Sequence, residues 1–105
     1  MRPGVRYSEL AEAVVTAVRA AGLPEFVYAT PHALGLEHTD DPKTVGGQQG
    51  ATTDTLLEEG MVLNIDMPFT EIGWGSVHLE DTVRITADGF ESLTSDDLEI
   101  IEVAT

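Results

Sequence analysis

Two carboxylates, Asp66 and Glu80, are the side chains that most clearly point to chemistry. Glu80 lies in the otherwise apolar strand pattern of residues 73–82, and Asp66 ends another apolar run fourteen residues earlier. A buried carboxylate needs a cation, a metal ion or a dense set of hydrogen bonds. A hairpin-like connection would bring the two together on one face, where a divalent ion offsets their repulsion. His32 could add a nitrogen ligand, and His38 and Asp81 could lie near the same group.

The same residues have structural explanations that the sequence leaves open. A histidine in the context Pro-His-Ala-Leu-Gly-Leu can be a packed or hydrogen-bonded core residue, and an aspartate before Pro68 can cap a turn. A glutamate near arginines can form a salt bridge, and an aspartate beside it can cap a turn or support its neighbour. The histidine is His32 and the aspartate before Pro68 is Asp66. The glutamate is Glu80, with Arg84 or Arg19 as its possible partner, and the aspartate beside it is Asp81.

The composition restricts the partners and metals that the chain could bind. Five Lys and Arg residues against 19 Asp and Glu residues give a formal charge of −14, which repels nucleic acids and anionic lipid surfaces. Without cysteine, a metal site must use histidine and carboxylate ligands, which suit manganese, cobalt, zinc or iron. The length allows one domain at most. No signal peptide or membrane-length apolar run is evident, so a cytoplasmic location is expected.

Hydrophobic periodicity predicts one amphipathic helix over residues 8–21. Ser8 is the expected N-cap, Gly22 suits the left-handed position after the helix, and Pro24 prevents continuation. The side chains expected to face the core are Leu10, Val14, Ala17, Val18 and Ala21.

Two segments of contrasting composition follow the helix. Residues 26–29 are short, aromatic and β-branched, which predicts a strand closed by Pro31. Residues 39–55 carry Pro42, a Gly-Gly pair and many small polar residues, which is typical of a surface loop. Such a loop is either a functional lid or an insertion without a role.

The carboxyl-terminal half is predicted to form antiparallel strands. After a turn at 56–60, a strand at 61–66 ends at Pro68, and residues 77–87 form one or two further strands. A turn at Asp88-Gly89 then leads to a short edge strand or a docked tail. The polar faces of the two main strands are expected to carry Val62, Asn64 and Asp66, and Ser76, His78 and Glu80. The order predicts an α+β fold, with the helix packed on a mostly antiparallel sheet.

Four motifs occur in a characteristic order along the chain. They are Arg-Pro-Gly-Val at 2–5, His-Ala-Leu-Gly-Leu-Glu-His at 32–38, Gly-Met-Val-Leu-Asn-Ile-Asp at 60–66 and His-Leu-Glu-Asp-Thr-Val at 78–83. Together they resemble the carboxy-terminal half of the pita-bread metallopeptidases, which include aminopeptidase P, prolidase, methionine aminopeptidase and the non-peptidase creatinase. The resemblance implies that residues 1–105 are a single partial catalytic domain with half of the pita-bread fold.

The resemblance also implies roles for individual residues. In such enzymes two divalent ions, manganese, cobalt or zinc, share a bridging water and are held by two aspartates, one histidine and two glutamates. His32, Asp66 and Glu80 match the last three of these ligands. His38 matches, with a one-residue gap, a second histidine that assists the tetrahedral intermediate, so His38 and Asp66 are the implied catalytic residues. The implied supporting residues are His78, Asp81 and Thr82.

Three departures from the family pattern bear on activity. The two aspartate ligands belong to strands upstream of the point where this chain begins. Asp66 stands where glutamate is usual, which moves the carboxylate by roughly 1 Å against metal–ligand tolerances of roughly 0.2 Å. His78 stands where relatives often carry arginine. The chain alone is therefore expected to bind one ion weakly or none, and to lack peptidase activity.

The leading interpretation is a fragment of a metal-dependent hydrolase of the aminopeptidase P and Xaa-Pro dipeptidase type. A creatinase-like hydrolase that acts without metal, with a histidine as acid and base, is one alternative, and a non-catalytic remnant is another. In the full-length protein the expected partner is a peptide substrate, and neither nucleic acid nor a membrane is expected. An uncovered half-domain face predicts a homodimer or other association through that face.

Overall fold

The computed structural model describes residues 1–43, 54–94 and 102–103. All strand pairs in this part of the chain are antiparallel, and the strands form one five-stranded sheet in the order β2-β1-β3-β4-β5. The elements are α1 (Tyr7–Ala20), β1 (His32–Ala33), β2 (Asp40–Lys43), β3 (Val62–Glu71), β4 (Gly75–Ile85) and β5 (Phe90–Ser92). The predicted α+β architecture, one helix on an antiparallel sheet, is confirmed.

The start of α1 is capped differently from the prediction. Arg6 is the N-cap, and Ser8 lies inside the first turn, so the prediction that Ser8 caps the helix is wrong. The amide of Arg6 donates to Glu9 Oε2 at 3.1 Å, and the amide of Ser8 donates to Asp54 Oδ1 at 3.2 Å. A carboxylate distant in sequence thus satisfies a first-turn amide. Hydrogen bonding from Ser8 holds the pKa of Asp54 below its ordinary value of 3.8.

The core face of α1 is rotated from the predicted one. Its buried residues are Tyr7, Leu10, Ala11 and Val15, whereas Ala17 and Ala21 of the predicted face are exposed. The Tyr7 hydroxyl donates to the carbonyl of Pro31 and fixes this orientation. As predicted, Gly22 follows the helix with a positive φ of 113°. No helix in the described ranges is long and apolar enough to cross a membrane.

The strand predicted at residues 26–29 does not form, and the prediction that Pro68 ends a strand is also wrong. The amide of Thr30 donates to the carbonyl of Asp66 at 2.8 Å, so Asp66 directs its backbone groups away from β4. Two residues on, Pro68 directs its nitrogen the same way but has no hydrogen to donate. The ladder therefore cannot continue toward residues 26–29, and β3 itself tolerates the proline.

The predicted loop over residues 39–55 is partly a strand. Strand β2 pairs with β1 and includes Pro42, so the loop prediction is wrong for residues 40–43. Residues 44–53 lie outside the described part of the chain, and the loop prediction stays a prediction there. Of the turn predicted at 56–60, only residues 59–60 form a turn, with Gly60 at a φ of 88° before β3, and Leu56 instead forms an isolated antiparallel bridge with Arg6.

The long hairpin of β3 and β4 separates the side chains by parity. Odd-numbered residues of both strands pack toward α1, where they form a buried cluster with Leu10 and Leu57. The odd-numbered strand residues of this cluster are Leu63, Ile65, Val83 and Ile85. Even-numbered residues lie on the opposite face, which we call the site face. The predicted alternation is confirmed, β4 is one strand, and β5 is an edge strand after the Asp88-Gly89 turn.

Candidate metal site

Asp66 and Glu80 lie directly opposite each other on β3 and β4. Because the backbone of Asp66 points toward Thr30, the two residues form a non-hydrogen-bonded pair, in which antiparallel side chains approach most closely. Both side chains lie on the site face. The hairpin therefore makes neighbours of the two carboxylates, as the spacing predicts.

Asp66 has one oxygen that is hydrogen-bonded and one that is not. Its Oδ2 accepts a hydrogen bond from the Thr30 hydroxyl at 2.7 Å. Its Oδ1 is buried without a hydrogen bond, and no other buried side-chain nitrogen or oxygen of the described residues lacks one. Nδ1 of His78 lies 3.4 Å from this oxygen. Since Asp66 lies well inside β3, the alternative that it caps a turn before Pro68 is wrong.

Glu80 is exposed, so the burial that the strand pattern predicts for it is wrong, and its side chain is held by an amide and not by an arginine. Its Oε2 accepts a hydrogen bond from Asn64 Nδ2 at 2.6 Å. Arg84 pairs through Nε with Glu91 Oε1 at 2.7 Å, and Arg19 donates from Nε to the carbonyl of Phe26 at 2.6 Å. Both arginines are thus bonded elsewhere, and the alternative of an arginine salt bridge for Glu80 is wrong.

Asn64 is a site residue that the sequence analysis did not single out for a role. It is only 6% exposed, and its Nδ2 reaches Nε2 of His32 at 3.3 Å as well as Glu80. Nδ1 of His32 lies 3.1 Å from the Ala33 carbonyl oxygen, so both ring nitrogens of His32 have a polar neighbour. The sequence feature that could have identified Asn64 is its position as an amide in an apolar strand, two residues before Asp66 and on the same face.

His38 lies beside His32 at the margin of the site. Their ring centroids are 5.7 Å apart, with the ring planes tilted by 31°. His38 is exposed, and its Nδ1 lies 3.0 Å from the hydroxyl of Thr39. The structure therefore brings the two predicted histidines together, with one ring buried and one accessible.

Asp81 and Thr82 connect β4 to the end of the sheet. The Ser92 hydroxyl donates to Asp81 at 3.0 Å from Oδ1, and the Thr94 hydroxyl donates to the same oxygen. The amide of Thr82 lies 3.2 Å from the hydroxyl of Thr94. The side chain of Asp81 lies on the face opposite Glu80, so its described contacts hold the edge strand in place.

Three side chains converge closely enough to hold a metal ion: Asp66, His78 and Glu80. Each offers one ligand atom, and these atoms all lie within 4.8 Å of one another. Two atoms that bind one ion at about 2.1 Å are at most about 4.2 Å apart, so small side-chain adjustments would bring all three into range. One nitrogen with two carboxylates suits manganese, iron, cobalt or zinc. The unbonded, buried oxygen of Asp66 supports this fit.

His32 is not part of this group. The amide of Asn64 lies between its Nε2 and Glu80. An ion that uses His32 together with Asp66 and Glu80 would have to take the place of this hydrogen bond. The structure thus brings two of the three sequence-predicted ligands into a metal-sized cluster, adds His78, and keeps His32 one amide away.

The helix-backed antiparallel sheet carries carboxylates and imidazoles on its free face. The chain belongs to the metallopeptidase family M24, whose family model matches residues 1–87. Its similarity to solved prolidases shows that the fold is part of a pita-bread fold. The prolidase from Pyrococcus horikoshii OT3 superposes with a TM-score of 0.75 at 30% identity, and the match covers 95% of this chain and 28% of that one.

Two curated proteins are similar in sequence to most of this chain. The Xaa-Pro dipeptidase of Lactobacillus delbrueckii subsp. lactis is 31% identical over 97% of this chain, which covers 27% of that protein. The agropine synthesis cyclase of Rhizobium rhizogenes is 32% identical over 93% of this chain and 24% of its own length. The chain thus spans about a quarter of the length of these relatives.

Proposed function

We propose that the chain is a fragment of the catalytic domain of a peptidase that hydrolyses Xaa-Pro dipeptides with two divalent ions. The observation that carries the proposal is the Asp66–Glu80 pair, whose carboxylates face each other across the hairpin, with Asp66 Oδ1 buried and unbonded. The complete ligand set would include two aspartates that this sequence does not contain. We therefore expect the 105-residue chain alone to be inactive.

The residues of this chain would position the reacting groups. Divalent ions at such a site supply Lewis acidity toward water and toward the peptide carbonyl. Asp66 and Glu80 would hold the ions, and each has one oxygen fixed by a neighbour, Thr30 or Asn64. His38, the accessible imidazole, would donate a hydrogen bond to the developing oxyanion of the substrate.

The test is a chimera in which this chain replaces the matching segment of the Pyrococcus horikoshii prolidase. We expect manganese-dependent hydrolysis of an Xaa-Pro dipeptide, reduced at least tenfold by Glu80→Gln, which keeps the size but removes the charge. Glu71→Gln is the matched control and should retain most activity, because Glu71 is exposed at the end of β3 on the opposite face. A folded chimera that binds manganese but shows no turnover would reject the peptidase assignment.

The similarity to the agropine synthesis cyclase, whose name is not that of a peptidase, favours a second candidate, an enzyme that does not hydrolyse peptides. A creatinase-like hydrolase that needs no metal, with a histidine as acid and base, belongs to this class. Chelation separates the two candidates in the same chimera. Peptide turnover that a chelator abolishes and manganese restores supports the peptidase, whereas turnover of a non-peptide amide that survives chelation supports the alternative.

A further inference from the structure

We propose that His78 is a direct metal ligand, which completes a one-ion site with Asp66 and Glu80 on the β3–β4 hairpin. The ligand class is a divalent transition-metal ion that accepts one nitrogen and two carboxylates. The proposal deepens the proposed function and rests on it only for the roles of Asp66 and Glu80. What it adds is the imidazole of His78 as a ligand.

The distance between His78 and Asp66 matches two ligands of one ion. Nδ1 of His78 lies 3.4 Å from Oδ1 of Asp66, yet that oxygen has no hydrogen bond. Two atoms that bind a tetrahedral ion at about 2.1 Å are about 3.4 Å apart. The pair is therefore poorly arranged to share a proton and well arranged to share a metal.

The strand geometry places the three ligands together without help from a distant segment. His78 and Glu80 are two residues apart on β4, so both lie on the site face, and Asp66 is directly opposite Glu80. Opposite His78 on β3 is Pro68, which brings no polar side chain to compete for the ring. One hairpin thus supplies the whole ligand set.

The two carboxylates are already oriented for this role. Thr30 bonds to Oδ2 of Asp66 and Asn64 bonds to Oε2 of Glu80, and in each case the partner fixes one oxygen. The other oxygen of Asp66 is the buried, unbonded one that lies near His78. The side chain of His78 is 52% exposed and Asp66 is 16% exposed, so an ion can enter from solvent.

The first experiment measures Co²⁺ affinity by titration calorimetry in the metal-free 105-residue chain, with circular dichroism to confirm folding. We expect one Co²⁺ site per chain and an increase in Kd of at least tenfold in His78→Ala. Glu71→Gln, which removes an exposed carboxylate from the opposite face at the end of β3, should stay within about twofold of the parent Kd if the site is the one proposed.

The second experiment detects the bond itself. The chain has no cysteine, so His78→Cys introduces a single thiol. A thiolate at this position should bind Co²⁺ directly and produce the intense near-ultraviolet charge-transfer absorption of a cobalt–sulfur bond. Ser76→Cys is the matched control on the same face of β4, and it should show no such band.

The outcomes separate this inference from the proposed function. If the folded chain binds Co²⁺ and loses it on Glu80→Ala but not on His78→Ala, His78 is not a ligand and the proposed function stands. A folded chain that binds no Co²⁺ also overturns the inference and leaves His78 and Asp66 as an ion pair. Loss of peptidase activity in the chimera with Co²⁺ binding intact would instead count against the proposed function alone.

Discussion

Asn64 connects the imidazole of His32 to the carboxylate of Glu80 in the candidate site. Its side-chain nitrogen lies within hydrogen-bonding distance of both His32 and Glu80, and its position inside β3 keeps it buried. A neutral amide can donate to a carboxylate and to an imidazole lone pair, which a carboxylate at the same position could not do. The amide therefore limits the negative charge around Asp66 and Glu80.

Asn64→Asp should make the stability of the chain depend on metal. A third carboxylate facing Glu80 removes a hydrogen bond and adds like-charge repulsion, which we expect to lower the free energy of unfolding by about 1–3 kcal/mol. A divalent ion bound only by the folded state would reverse the loss. Urea unfolding with and without Co²⁺ measures both effects.

The control for this prediction is Asn64→Gln, which keeps the amide but displaces it. It should be destabilised without a comparable gain from Co²⁺, because it adds no charge. Equal recovery of the two variants would show that the negative charge at position 64 is not what the ion offsets.

Helix α1 is tied to a distant part of the chain at its first turn. Asp54 accepts the amide hydrogen of Ser8 and pairs with Arg6 at 3.2 Å, and the amide of Tyr7 donates to the carbonyl of Thr55. These contacts fix where the helix begins on the sheet. The position of the helix in turn determines which strand face is left for the site.

Asp54→Asn should lower the melting temperature by an amount that depends on pH. Because hydrogen bonds from Ser8 lower the folded-state pKa of Asp54, its contribution is present above the unfolded value of 3.8 and is lost as the pH falls through the folded-state pKa. The difference between parent and variant should therefore shrink at low pH. Asp88→Asn, an exposed turn residue, should show no such change, and a difference constant over pH 3–7 would contradict the role of the carboxylate.

The alternation of apolar and polar residues along the strands predicted most of the fold and of the candidate site. It was sufficient to place Asp66 opposite Glu80, because period two and one hairpin leave few other arrangements. The local composition misled at residues 26–29, which suit a strand although Pro68 lacks the amide hydrogen that a neighbouring strand would need. Alternation also could not reveal the contact between Asn64 and His32, since β1 and β3 are far apart in sequence.

The molecule as a whole leaves part of its helix-side sheet face exposed. Val77 and Leu79 of β4 are 51% and 44% exposed, and they pair across the hairpin with Phe69 and Met67. Phe69 and Met67 pack against a second buried cluster, formed by Val15, Phe26 and Ala29. We call Val77 and Leu79 the apolar row. The formal charge of −14 makes two copies of the chain repel each other at low ionic strength, which disfavours contact through this row.

We expect two copies of the chain to associate through this row as salt is added. Raising the salt concentration to about 0.5 M shortens the screening length to a few ångströms and weakens repulsion while the apolar attraction remains. Sedimentation velocity should show dimers at high salt. Val77→Thr with Leu79→Thr should suppress them, whereas Ser76→Thr on the opposite face should not. A parent chain that stays monomeric in all salt conditions would contradict the prediction.

The parity of the β3–β4 hairpin has a consequence for how such a protein can evolve. Stability depends on odd-numbered residues and the chemistry of the site face on even-numbered ones, although both sets share the same two strands. Substitutions at positions 66 and 78 can therefore change the ions or substrates that a descendant accepts while the packing against α1 is inherited unchanged. An insertion of a single residue within either strand would exchange the two roles, and selection should remove it.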